Sequence, residues 1–87
     1  MMIKEKYDEA LSDPGALTFP DGKEARIEKL YAHRRGSAEV RFSWWKNDSI
    51  MPRPLDLTED DLILLFRDAI EKKVFTPGFR MALRSLL

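Results

Sequence analysis

Apolar and polar residues change period twice along this 87-residue chain, and the changes divide it into three stretches. Ile3, Tyr7, Ala10 and Leu11 recur at helical spacing, which predicts a short amphipathic helix over residues 2–12, ended by Asp13, Pro14 and Gly15. A helix this short is marginal alone in water, so its stripe has to dock on the rest of the fold. From Leu17 the period shortens to two. Leu17 and Phe19 precede the turn signal Pro20-Asp21-Gly22, after which Ala25, Ile27, Lys29 and Tyr31 share one face of a second strand. Beyond the polar turn His33 to Ser37 comes the clearest strand. Ala38, Val40, Phe42 and Trp44 alternate there with Glu39, Arg41, Ser43 and Trp45, so the apolar set is expected to face a core. Lys46 to Ser49 forms another turn, Ile50 and Met51 pair briefly, and Pro52 and Pro54 are expected to stop the ladder.

The helical period returns at Leu57. Thr58 with Asp61 three residues on is a capping-box variant, and Glu59, Asp60 and Asp61 put negative charge at the positive end of the helix dipole. Leu62, Leu65, Phe66, Ala69 and Ile70 form its apolar face, and Lys72 and Lys73 suit its C-terminal end. Thr76 then caps a second helix with Pro77 at its first position. The expected fold is one small α+β domain over residues 1–87, of order α-β-β-β-α-α: a short N-terminal helix, an antiparallel meander of three or four strands, and two C-terminal helices. Val40, Phe42, Trp44, Leu62, Leu65, Phe66, Ala69 and Ile70 are its expected core.

Composition narrows the function classes. The chain has no cysteine, which removes a disulfide framework, a thiolate metal site and a cysteine nucleophile. The N-terminal segment is charged throughout and unlike a signal peptide. The longest apolar run, Leu62–Phe66, falls far short of the roughly 20 residues of a membrane-spanning helix, so no membrane partner and a cytoplasmic location are expected. A chain of this length supports one modest core, and a homodimer is an easy way to add burial. Fifteen basic and fifteen acidic residues cancel, against the habit of a general polyanion binder. Locally they do not cancel: residues 22–53 carry +4, residues 54–71 carry −5 and residues 72–87 carry +4.

Enzyme chemistry finds no foothold. The single histidine, His33, lies in a turn beside Arg34 and Arg35, a poor setting for a general base, and helix-start electrostatics account for Asp56, Glu59, Asp60 and Asp61 more simply than a metal site does. No catalytic residue, metal or cofactor is expected. The candidate binding set is basic and aromatic: Arg34, Arg35, Arg41, Trp45, Lys46 and Arg53. If Trp44 points to the core, alternation puts Trp45 and Arg41 together on the opposite face, the composition of an interface hot spot. The same pair would suit stacking on a nucleic-acid base, and the third reading is that Trp45 is covered and structural. Leu64, Met81 and Leu87 do not fit neatly on one buried helix face; they read either as ordinary core or as a partner or self-association surface. The expected function is a non-catalytic protein-binding module, a small accessory, regulatory or inhibitory protein of bacterial or phage type that occupies a surface on a larger protein or complex. Nucleic-acid binding through the basic hairpin is the second reading.

Overall fold

The computed structural model describes residues 8–87. Strands β1 (Asp8–Ala10), β2 (Gly15–Thr18), β3 (Glu24–Ala32), β4 (Ser37–Lys46), β5 (Ser49–Ile50) and β6 (Leu55–Leu57) build one antiparallel sheet, and helices α1 (Glu59–Glu71) and α2 (Pro77–Leu86) follow. The class is α+β. The long central pair runs in register from Glu24 opposite Trp45 to Ala32 opposite Ser37. β1 and β2 lie end to end along the outer side of β3, and β5 and β6 do the same along β4.

Both outer lanes are broken in one way. Between Ala10 and Gly15 four residues face two of β3, and between Ile50 and Leu55 four face two of β4. Side chains alternate with period two, so a two-residue excess bulges the strand yet leaves its faces unchanged. Three sequence expectations are corrected here. Among the described residues the sheet has six strands and not three or four, because short segments pair along the outer sides of β3 and β4, so the order α-β-β-β-α-α does not hold. The helix expected over residues 2–12 lies partly on residues 1–7, outside the described part, while Asp8–Ala10 is strand. The open edge of β3 offers this segment ladder bonds that continue at Leu11 N–H to the Lys29 carbonyl (2.9 Å), and such tertiary pairing outweighs a weak local helix preference. Pro52 and Pro54 do not end the ladder either. They sit in the bulge, where no ladder hydrogen bond is required of them, and pairing with β4 resumes at Leu55.

The turns follow their residues. Gly22 (φ 87°) closes the β2–β3 hairpin, and Asn47 and Asp48, with φ of 52° and 63°, form a two-residue connection of the positive-φ kind that matches strand twist. Thr58 Oγ1 accepts from Asp61 N–H (3.2 Å) and Thr76 Oγ1 from Phe79 N–H (3.1 Å), as the capping pattern predicts. α1 ends on Lys73 in the left-handed region (φ 60°), with Val74 N–H reaching back to the Ala69 carbonyl.

The expected common core does not form. Leu30, Ala32 and Val40 are the buried apolar residues among those described; Trp44, Leu65 and Ile70 are exposed and Phe42, Leu62, Phe66 and Ala69 half-buried. The cause is the path of the chain after the sheet. Thr58 caps α1 directly after β6, Lys29 pairs with Glu59 (3.1 Å), and α1 meets the sheet chiefly at β6. Phe75, in the connection between the helices, bridges Phe66 of α1 and Phe79 of α2, with ring centroids 5.9 and 5.0 Å apart. The molecule measures 52 × 33 × 22 Å, and its radius of gyration of 15.3 Å exceeds the about 12 Å of a compact domain this long.

Candidate protein-binding surface

Register sorts the sheet's side chains into two unlike faces. Directly opposite residues share a face, so Asp8, Leu30, Ala32, Glu39, Arg41, Ser43, Trp45 and Asp56 stand together. On this polar face Arg41 holds Asp56 with two parallel bonds of 2.8 Å and also donates to Asp8. Asp8 belongs to β1, so that last bond crosses β3 above Leu30, which is 4% exposed. Arg35 forks onto Glu39 (2.8 and 2.6 Å), and Ser37 donates to the same carboxylate. The Arg35 bond holds the Glu39 carboxyl below the usual range, and bonds to Asp56 push Arg41 further towards permanent charge. Every buried side-chain polar atom among the described residues has a partner. The charged face is thus the better-buried one, because long side chains interlock across four lanes.

The structure distributes the six candidate residues rather than gathering them. Arg34 and Arg35 lie in the β3–β4 turn, while Trp45 and Lys46 end β4, about 30 Å away at 3.3 Å per residue. Arg53 lies in the break between β5 and β6 with φ 65°. Arg35 and Arg41 are committed to carboxylates of the same chain. Trp45 does share the face of Arg41, but it is half-buried: the Arg26 guanidinium lies 4.0 Å over its ring and Nε1 donates to Ser43 (2.9 Å). His33 bonds Glu9 (2.9 Å). Of the acid cluster, Asp56 faces Arg41 and Glu59 faces Lys29; among the described residues no three acidic or histidine side chains converge as a metal-binding group. Among the described residues no helix is long and apolar enough to cross a membrane.

The opposite face is apolar and largely uncovered. Leu17 (61% exposed), Ile27 (52%), Trp44 (48%) and Leu55 (47%) stand there with Phe42, and Phe19 leans on Trp44 at 5.4 Å. A shallow depression of about 440 Å³ opens between Gly15, Leu17, Ile27, Phe42 and Trp44. An apolar field on one sheet face is the feature that contact surfaces commonly share. Its residues are the alternating apolar set visible in the sequence; what periodicity lacks is any indication of which element covers them. Comparisons with protein-family models, with curated proteins and with solved structures found no match.

Proposed function

We propose that this chain is a non-catalytic protein-binding module, an accessory, regulatory or inhibitory protein whose contact surface is the apolar sheet face around Trp44. The observation that supports it most directly is the exposure of Leu17, Ile27, Trp44 and Leu55 side by side in a chain with few buried apolar residues. Large aromatic and aliphatic side chains gathered without a cover form the centre of an interface, where tryptophan carries an outsized share of binding energy. This moves the anchor from Trp45 to Trp44. The basic residues Arg34, Lys46 and Arg53 then serve as separated rim charges. Nucleic-acid binding draws less support, since Arg35 and Arg41 already face Glu39, Asp56 and Asp8.

The test is affinity capture from the source cells, with the wild-type chain and Trp44→Asp as paired baits. A protein retained by the first and lost by the second, with Arg34→Ala retaining it, is the expected outcome. Identical captures by both baits, or submicromolar and steeply salt-dependent binding to unrelated DNA, would overturn the reading.

A further inference from the structure

We infer that the apolar sheet face is covered by a second copy of this chain, whose α1–α2 pair seats on it while its own sheet receives the first copy's helices. This rests on the reading of that face as protein-binding and names its partner. Three observations carry it.

The first is area. The chain exposes 7267 Å², whereas a folded monomer of its mass of 10.2 kDa exposes about 5,300 Å². The difference, about 2,000 Å², is of the order of the area each subunit of an obligate dimer buries. The second is complementarity of shape. The sheet lacks a helical layer, and the helices lack a sheet: Ile63, Met81 and Leu86 are all exposed. Thr58 caps α1 directly after β6 and the Lys29–Glu59 pair anchors its first turn beside the apolar face, yet Leu17, Ile27, Trp44 and Leu55 stay exposed. Reciprocal docking about a two-fold axis satisfies both surfaces and leaves neither uncovered. At about 20 Å, α1 also matches the width of a four-lane sheet.

The third is charge. By the strand alternation, Lys29 and Lys46 stand on the apolar face, and Lys23 continues that row. α1 brings Glu59, Asp60, Asp61, Asp68 and Glu71 against the single cation Arg67. Lys72, Lys73, Arg80 and Arg84 follow, so the helix pair is neutral as a whole and it is its acidic α1 that matches this rim. Lys29 is already held by Glu59 of its own chain, so Lys23 and Lys46 are the rim cations left to meet a second copy, and zero net charge lets two copies approach without net repulsion.

The experiment uses the full chain. Sedimentation equilibrium at micromolar concentration should give about twice the 10.2 kDa chain mass, and the melting temperature should rise with protein concentration. Trp44→Asp and Met81→Glu should each shift the population to monomer. Because the chain has no cysteine, Ile27→Cys and Met81→Cys can be prepared separately and mixed; a bis-maleimide should link the mixture far more than either protein alone. A monomer whose Trp44 emission stays solvent-quenched overturns the pairing but leaves the protein-binding proposal standing. A dimer that cross-links only through Met81→Cys with itself, with Trp44 still quenched, does the same. A monomer with Trp44 protected from quenchers overturns both, since the face is then covered from within.

Discussion

Replacing Arg41 by alanine probes whether the charged sheet face holds the fold together. The guanidinium grips Asp56 through two 2.8 Å bonds and bridges to Asp8, linking β4 to β6 beside it and to β1 beyond β3. The Arg41 and Asp56 side chains are only 18% and 17% exposed. Deleting one member of a buried pair costs about 3 to 5 kcal/mol because the remaining charge is stranded. Asp56 retains Arg35 at 3.5 Å and some solvent, so about 2 to 3 kcal/mol is expected here. In a domain this long that lowers the melting temperature by roughly 10 to 20 °C. Urea unfolding followed by tryptophan fluorescence, at one fixed protein concentration, measures it. Arg41→Met combined with Asp56→Leu should recover part of the loss, since removing both charges strands neither, and the double-mutant cycle should show coupling above about 1 kcal/mol. A loss below about 0.5 kcal/mol for Arg41→Ala would place the network among solvated surface pairs and refute the account.

Other outcomes follow from the same geometry. Arg35 holds Glu39 below the ordinary carboxylate range, so its contribution is full above that range and is lost as pH falls through the folded value; as pH falls below about 4.5 wild-type stability should fall more steeply than that of Glu39→Gln, and parallel pH curves would refute the coupling. Lys73→Gly should raise stability by about 0.5 to 1 kcal/mol in thermal melts, because the position is left-handed (φ 60°) and a side chain there is strained; a loss would show that Lys73 makes a contact its backbone does not reveal. Phe75→Ala should cost about 2 to 3 kcal/mol, and should loosen α2 while the sheet's amides keep their hydrogen-exchange protection; uniform loss of protection would mean the two parts unfold as one. Replacing Pro52 and Pro54 together by threonine should speed thioflavin-positive aggregation, which light scattering can follow, and an unchanged rate would remove the edge-guarding role of the bulge.

Local chemistry made much of this fold legible. Thr58 and Thr76 announce their helices because a hydroxyl followed by a free N–H three residues on is a local event, and the alternation from Ala38 to Trp45 fixes both faces of β4. The β1 and β6 pairings were not legible, since three-residue strands owe their existence to the edges of β3 and β4, far along the chain. The burial was legible only as two faces, not as which face is covered. Periodicity says that Trp44 and Trp45 point opposite ways; it does not say that Arg26 and Ser43 will hold Trp45 while Trp44 stays open. For the same reason the basic candidates read as one patch in sequence and lie at two ends of a long strand in space.

The two broken lanes explain how a sheet with an open apolar face avoids pairing without limit. An exposed edge strand recruits further strands, and a flat edge beside an apolar face is an invitation to fibrils. Here each edge is cut into pieces of two to four residues by a bulge containing proline, Pro14 on one side and Pro52 with Pro54 on the other. Proline offers no N–H to a neighbouring strand, and the bulges interrupt the regular repeat that edge pairing requires. Association through the edges is disfavoured at both sides of the sheet, while association through the face is not. On the proposed reading, burial of Leu17, Ile27, Trp44 and Leu55 comes from a partner laid across the strands rather than beside them, and a helical layer is the element that fits such a face without presenting an edge of its own.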